Sequence, residues 1–191
     1  MDLLLIRHAQ PEVIEHDPGG ADPALTDLGH RQAAAMVEFL AAEHVDAVWS
    51  STMRRAQETA APLASARGLA IRHDERLVEF DRGQPSYGVG DPMRGDADEV
   101  ADMVSNVRNP AFRERVTSAL EDIIDGHRGQ RVAVVCHGGV IAVGVGALLG
   151  LDDFVIRVAP SYTSVSRVAA SSNGYRSLQS FNEAHWLRDT G

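Results

Sequence analysis

The sequence predicts an α/β fold: a three-layer α/β/α sandwich around a mostly parallel sheet. Short apolar segments typical of strands alternate along the chain with segments of helical periodicity. Leu3 to Ile6 and most of Arg131 to Cys136 are continuously apolar, as in strands that are covered on both faces. Of the 191 residues, 44% are hydrophobic and 24% are charged, which is typical of a globular domain.

Two strand–helix units and a third strand are predicted in the first half of the chain. In order, they are a strand at 3–6, a helix at 26–44, a strand at 45–49, a helix at 52–67 and a strand at 70–72. Thr26 is placed as a helix N-cap, and Gly68 follows the second helix as its C-terminal cap. Such units build a parallel sheet with helices on its faces.

In the second half of the chain, the sequence predicts a long loop, three helices and three strands. Residues 81–95 are rich in glycine, proline and charge, which is typical of a long loop. Helices are then predicted at 98–107 and 110–127, a strand at 131–136, a helix at 138–149, and strands near 164–169 and 176–180. We expect a single domain over residues 1–191, with a loop or cap insert at about 81–110.

Composition argues against several functions. The net charge of −9 disfavours general binding to nucleic acid or to a membrane surface. A single cysteine excludes an internal disulfide and suits a reducing compartment. The apolar run at Leu3 to Ile6 is too short for a signal peptide or a membrane span, so a cytoplasmic protein is expected. Neither His-Glu-x-x-His nor a paired-cysteine motif occurs, so we expect no metal and no cofactor.

Basic residues cluster where the predicted strands end. Arg7 and His8 follow the first strand, Arg54 and Arg55 begin the second helix, and His137 follows the fourth strand. In open α/β sheets, ligands bind beyond the carboxyl ends of the strands. Each of these residues alone has an ordinary structural explanation, but together they predict an anion site that contains a candidate nucleophile.

Phosphoryl transfer needs these residue types. Its transition state spreads charge over three oxygens, which arginine grips with two parallel donors. A neutral imidazole is a competent nucleophile near pH 7 when a backbone carbonyl holds its other nitrogen, and a carboxylic acid must protonate the leaving group. Gly138 at a helix start and the side chain of Gln10 are candidate donors to the same anion.

Five ordered blocks resemble the histidine phosphatase superfamily, which is also called phosphoglycerate mutase-like. They are Arg-His-Ala at 7–9, Leu-Thr-Asp-Leu-Gly with Gln-Ala at 25–33, Ser-Thr-Met-Arg-Arg-Ala with Thr-Ala at 51–60, Leu-Val-Glu-Phe with a later Gly at 77–83, and Val-Val-Cys-His-Gly-Gly-Val-Ile at 134–141. Because the blocks occur in the family's order, the resemblance is specific. It implies the phosphoglycerate mutase-like form of the predicted fold.

The resemblance also implies a role for each matching residue. His8 is the phosphorylated nucleophile, while Arg7, Arg55 and His137 hold the phosphoryl group. Glu79 is the general acid and then the base that activates water.

Two of these assignments have a rival in the sequence. Arg55 is preferred to Arg54 because it directly precedes Ala56 in the matching block. Asp81 lies two residues after Glu79 and is an alternative acid.

The chain departs from the family pattern near the first histidine. Pro11 and Ile14 stand where many relatives carry a hydroxyl and an asparagine that touch phosphate. Substrate specificity therefore does not transfer from relatives. Arg82, Tyr87 and Arg94 in the insert, together with Tyr162, are candidates to cover the pocket; an ordinary surface loop is the alternative.

The predicted function is a histidine-dependent phosphatase that hydrolyses a small phosphorylated metabolite through phosphohistidine. The first alternative is a phosphoglycerate mutase-type phosphotransferase or a phosphoprotein phosphatase. Phe80 to Gly83 differs from the Arg-His-Tyr-Gly that follows the glutamate in the mutase branch, which favours the phosphatase. The second alternative is a non-catalytic phosphate-sensing module. The oligomeric state is not readable, and a homodimer stays open.

Overall fold

The computed structural model describes residues 1–88, 97–151 and 158–189. The strands are β1 (Asp2–Arg7), β2 (Ala47–Ser51), β3 (Ile71–Asp74), β4 (Arg131–Cys136), β5 (Val165–Ala170) and β6 (Arg176–Glu183). The α-helices are α1 (Asp27–Phe39), α2 (Arg54–Arg67), α3 (Ala97–Arg108), α4 (Pro110–Gly126) and α5 (Gly138–Leu149). Two 3-10 helices cover Glu75–Leu77 and His185–Asp189.

The strands form one sheet in the order β3-β2-β4-β1-β5-β6. The first four of these are mutually parallel, whereas β5 is antiparallel to β1 and β6 is antiparallel to β5. The mostly parallel sheet is therefore confirmed, with an antiparallel pair at one edge that the sequence patterns did not indicate. The short connection at 171–175 explains that pair, because a few residues can join only antiparallel neighbours.

Alternate residues of the central strands face opposite layers of helices. Leu3 and Leu5 of β1 pack with residues of α4 and α5, whereas Leu4 and Ile6 pack with residues of α1 and α2. The same alternation occurs in β4. Because successive side chains of a strand point to opposite faces, a continuously apolar strand supplies both interfaces. The predicted three-layer α/β/α sandwich is confirmed.

Tertiary contacts shift two element boundaries from the predicted ones. Helix α1 begins after Thr26, whose Oγ1 accepts a hydrogen bond from Gly29 N at 2.9 Å, as predicted. It ends at Phe39 rather than near His44, because the carbonyl of Leu40 accepts a hydrogen bond from Arg67 Nη2 at 2.6 Å. Strand β2 lies two residues later than predicted, since it pairs with β4 and β3 as far as Ser51.

The predicted insert is described in part. Helix α3 begins the described portion after residue 96 and packs beside α4, while residues 89–96, including the candidate Arg94, lie outside the described residues. Before that gap, Tyr87 and Ile14 exchange backbone hydrogen bonds of 2.8 and 2.9 Å. The insert is thereby tied to the loop that follows β1.

Among the helices of the described residues, none has the length and the apolar composition of a membrane span. Within 1–88, 97–151 and 158–189, no three acidic, histidine or cysteine side chains are grouped so that they can hold a metal ion.

Candidate active site

Two histidines meet at the carboxyl edge of the parallel strands. Arg7 at the end of β1 lies in register with Cys136 at the end of β4, so His8 and His137 leave the sheet side by side. The centroids of their rings are 5.1 Å apart and the ring planes are inclined by 58°. The sheet therefore brings together two residues that are far apart in sequence.

His8 is buried and fixed in orientation. Its Nδ1 lies 2.7 Å from the carbonyl oxygen of Ala9, to which it donates, and this leaves a lone pair on Nε2. Burial, followed by the charges of Arg7 and Arg55, lowers the pKa of His8 well below its usual value. The ring is therefore neutral near pH 7, as a nucleophile must be.

Arg55 is fully buried beside the histidines. Its Nη2 donates to both carboxylate oxygens of Asp81 at 3.0 and 3.1 Å, and its guanidinium carbon lies 4.4 Å from the centre of the Tyr87 ring. Its Nε and Nη1 are buried and have no hydrogen-bond partner among the described residues. Arg54, by contrast, is exposed and pairs with Glu58 at 2.7 Å.

Arg7 forms the opposite side of the cluster. Its Nη1 donates to the carbonyl oxygen of Pro160 at 2.6 Å, and its guanidinium carbon lies 4.2 Å from the centre of the Tyr162 ring. That tyrosine ring is also 5.6 Å from the ring of His8. Nε of Arg7 is buried and, within the described chain, has no hydrogen-bond partner.

His137 adds a third buried side chain to the two arginines. Its Nε2 lies 2.8 Å from Ser51 Oγ, and its Nδ1 is buried without a partner in the described residues. Burial, then Arg55, His8 and Arg7, lowers the pKa of this histidine well below its usual value. Buried polar atoms without partners are rare in proteins, and four of the eight among the described residues belong to the three side chains Arg7, Arg55 and His137. Such a set suits a tetrahedral oxyanion.

Glu79 is the buried carboxyl group of the site. Its Oε2 accepts from Gly139 N at 2.7 Å and its Oε1 accepts from Phe80 N at 3.0 Å. Burial, and after it the neighbouring charge of Asp81, raises the pKa of Glu79 to about 7, although the two amides oppose the rise. The carboxyl group therefore gives up and takes back a proton near neutral pH.

Comparison with known families identifies this arrangement. The model of the histidine phosphatase superfamily (branch 1) matches residues 3–183. The chain belongs to the histidine phosphatase superfamily. Phosphoserine phosphatase 1 of Hydrogenobacter thermophilus is 30% identical over 162 residues, which are 78% of this chain and 77% of the relative. Glucosyl-3-phosphoglycerate phosphatase of Mycolicibacterium vanbaalenii is 29% identical over 98% of this chain and 92% of its own length.

Solved structures show the same fold. A phosphoserine phosphatase mutant from Entamoeba histolytica, in complex with phosphoserine, superposes with a TM-score of 0.78 at 21% identity and covers 97% of this chain and 98% of its own. A mycobacterial glucosyl-3-phosphoglycerate phosphatase in complex with VO3 gives 0.76 at 23% identity, covering 96% and 99%. The fold is phosphoglycerate mutase-like. The chain is a histidine-dependent phosphatase.

The remaining candidates of this histidine phosphatase lie at the edge of the cluster. An added Cβ at Gly138 would lie 3.6 Å from Arg7 Nε, so the start of α5 adjoins that guanidinium. Gln10 is held through its backbone, which accepts from Thr26 N at 3.0 Å and donates to Gln32 Oε1 at 2.9 Å. No hydrogen bond of its side chain occurs within the described residues, so its phosphate contact stays a prediction.

Two hydroxyl residues of the site had no predicted role. Ser51 contacts His137, and Thr59 Oγ1 accepts from Ala9 N at 2.9 Å while it donates to Arg55 O at 2.7 Å. Both belong to the block at 51–60, so the signal that finds them was present in the family resemblance.

A cavity of about 180 Å³ adjoins the cluster. It lies between the turn at 19–22, the start of α2 and the turn at 82–83. Asp22, which lines it, has a carboxylate oxygen 4.0 Å from Arg55 Nη1, and Arg82 lines the same space. The cavity thus presents one acidic and one basic side chain beside Arg55.

Proposed function

We propose that the protein hydrolyses a small phosphomonoester in two steps through phosphohistidine at His8. The orientation of His8 carries this proposal, because its Nδ1 is held by the carbonyl of Ala9 inside a ring of buried donors. The Nε2 lone pair attacks phosphorus, and the bond between phosphorus and the alcohol oxygen breaks. Water then attacks the phosphohistidine, which frees His8 and releases inorganic phosphate.

Arg7, Arg55 and His137 stabilise the transferring group. Their buried, unpartnered nitrogens supply hydrogen bonds and two positive charges to the phosphoryl oxygens. The amide of Gly138 at the start of α5 and the side chain of Gln10 complete the proposed set of donors. These donors do not have to move or lose water when charge develops, because the fold already holds and buries them.

Glu79 moves the protons. With a pKa of about 7 it protonates the leaving alkoxide and, as the carboxylate, then takes a proton from the attacking water. Burial also raises the pKa of Asp81, but both of its oxygens are engaged by Arg55 Nη2. Glu79 is therefore the better candidate for the acid, and Asp81 holds Arg55 in place.

Phosphate trapping tests the nucleophile. A 32P-labelled substrate, quenched during turnover, should leave an acid-labile, base-stable label on the wild-type protein and none on His8→Ala. His44→Ala is a matched control because His44 is exposed and pairs only with Asp46 in the described residues. Full labelling of His8→Ala would show that another residue is the nucleophile.

Hydrolysis is proposed over mutase or phosphoprotein activity. The relatives named above are phosphatases of small phosphorylated compounds, which supports the same class here. A screen of phosphorylated metabolites that measures released phosphate identifies the substrate. Isomerisation of a phosphoglycerate without release of phosphate would favour the mutase instead.

We also propose the cellular compartment, the domain organisation and the kind of partner of this protein. We place the protein in the cytoplasm as a single domain, on the strength of its lone buried cysteine and of one central sheet that carries the core on both faces. A net charge of −9 supports a small-molecule partner over nucleic acid or a membrane surface. The contact of Tyr87 with Arg55 supports the proposal that the insert covers the active site.

A further inference from the structure

Ser51 and His137 make a direct contact at the centre of the site. Ser51 Oγ lies 2.8 Å from His137 Nε2, and both side chains are fully buried. Ser51 ends β2 and His137 follows β4, the adjacent strand, so sheet pairing itself brings the two together. The hydrolysis proposed above does not use this hydroxyl.

The surroundings of Ser51 decide where its hydroxyl proton goes. Met53 N donates to Ser51 Oγ at 3.3 Å, so the oxygen already accepts one hydrogen bond. Within the described residues, the other contact of this hydroxyl is with His137 Nε2, which accepts its proton if Nε2 carries none. A hydroxyl that donates to Nε2 leaves the single ring proton of a neutral histidine on Nδ1.

In the proposed mechanism, Nδ1 of His137 is the atom that donates a hydrogen bond to the phosphoryl group. This nitrogen is buried and has no hydrogen-bond partner within residues 1–88, 97–151 and 158–189. Burial first, and then the charges of Arg55, His8 and Arg7, lower the pKa of this ring, so it is neutral near pH 7. A neutral imidazole has one N–H, and a phosphoryl oxygen beside Nδ1 requires the proton there.

We propose that Ser51 is a positioning residue that holds His137 as the neutral Nδ1–H tautomer, so that the ring donates a hydrogen bond to the phosphoryl group. This inference rests on the proposed function, because it presupposes a phosphoryl group between the two histidines. Ser51 does not touch the substrate and acts only through His137. Without its hydroxyl, the neutral ring is free to move its proton to Nε2, which turns a lone pair toward an anionic oxygen.

The tautomer is measurable in the unmodified protein. With 15N-labelled histidine, the chemical shifts of the ring nitrogens distinguish a protonated nitrogen from a bare one. The signals of His137 are assigned as those lost in His137→Gln. We expect a protonated Nδ1 and a bare Nε2 near pH 7, and loss of this preference in Ser51→Ala. A protonated Nε2 in the wild-type protein overturns the proposal.

Kinetics of two neighbouring serine variants test the consequence. Ser51→Ala should lower kcat about 10- to 100-fold with KM changed less than about twofold, because the affected donor acts on the transferring group. Ser50→Ala is the matched control: Ser50 precedes Ser51 in β2, is equally buried, and donates to Ser51 O rather than to a ring. Its kcat should stay within about twofold of wild type, and Ser51→Thr should recover most of the lost kcat.

Two results separate this inference from the proposed function. If Ser51→Ala keeps wild-type kcat, or if both alanine variants lose equally, the role of Ser51 is wrong while trapped phosphohistidine still supports the hydrolysis. If the wild-type protein forms no label at His8, the proposed function fails, whatever the tautomer of His137.

Discussion

At the scale of single residues, Glu79 and Asp81 have different surroundings although they are two positions apart. Glu79 accepts hydrogen bonds from two backbone amides and has a pKa of about 7, whereas Asp81 pairs with the buried Arg55. The negative charge of Asp81 also raises the pKa of Glu79. In the proposed mechanism, one carboxyl group moves protons, while the other orients Arg55 and raises the pKa of the first.

Arg55→Ala should remove a donor that acts in the transition state. Loss of one such donor costs about 10²- to 10³-fold in kcat. Arg54→Ala is the control, since Arg54 is the adjacent arginine of the same helix turn but is exposed and paired with Glu58. Steady-state kinetics should show the loss in the first variant and a change below about twofold in the second; similar rates for both variants would contradict the role of Arg55.

Glu79→Gln should lower turnover of alkyl phosphates about 10²- to 10⁴-fold and affect aryl phosphates far less, because a good leaving group needs no proton. In the wild type, kcat/KM for alkyl phosphates should fall above a pH of about 7, where Glu79 loses its proton. Asp81→Asn should move this fall to lower pH, since the neighbouring negative charge is gone. Equal losses on both substrate types would point away from Glu79 as the acid.

The same raised pKa makes stability depend on pH. A carboxyl group whose pKa rises from 4.5 to about 7 on folding favours the folded state below the unfolded pKa, and this contribution is lost as pH rises through about 7. The free energy of unfolding of Glu79→Gln minus that of the wild type should therefore be larger at pH 8 than at pH 5. Urea unfolding at both pH values measures the difference, and a constant difference would contradict the burial effect.

At the scale of elements, the start of α5 positions the carboxyl group of Glu79, the proposed acid. An added Cβ at Gly139 would lie 2.5 Å from Glu79 Oε1, so glycine is what lets the helix approach and donate its amide. Gly29 plays a similar part at α1, where a Cβ would lie 2.1 Å from Gln10 O. At the starts of both helices, a glycine therefore lets the helix backbone lie close to a neighbouring oxygen atom.

Gly139→Ala should displace the carboxyl of Glu79 and lower kcat on alkyl phosphates at least about tenfold. Gly126→Ala is its control, because Gly126 ends α4 and an added Cβ there meets no atom of the described chain within 4 Å. Circular dichroism should show both variants folded. An active Gly139→Ala enzyme would mean that Glu79 does not depend on this amide.

At the scale of the whole molecule, an ion-pair network ties the antiparallel edge of the sheet to its centre. Arg167 of β5 contacts both Glu43, at 2.6 Å, and Glu183 of β6, at 3.0 Å. Arg131 of β4 contacts the same Glu43 at 3.3 Å. These side chains are only 21–34% exposed, so removal of one partner leaves charges that water solvates incompletely.

Glu43→Ala should lower the free energy of unfolding by about 1–3 kcal/mol, measured by urea denaturation. Asp125→Ala removes an exposed pair with Arg128 and should cost less than about 1 kcal/mol. Because Glu43 lies at the opposite ends of these strands from the histidines, kcat should stay within about twofold in both variants. Equal stability losses would show that burial of the network contributes nothing.

Local sequence patterns by themselves determined the order of the elements, the helix caps at Thr26 and Gly68, and the arrival of His8 and His137 at one edge of a sheet. Hydrophobic periodicity and helix caps depend on residues close together in the sequence, so the sequence alone predicts them. The antiparallel β5–β6 pair, the end of α1 at Phe39 and the contact of Ser51 with His137 were decided only by tertiary structure. They depend on contacts between distant segments, and so does the raised pKa of Glu79, because burial is a property of the packed molecule.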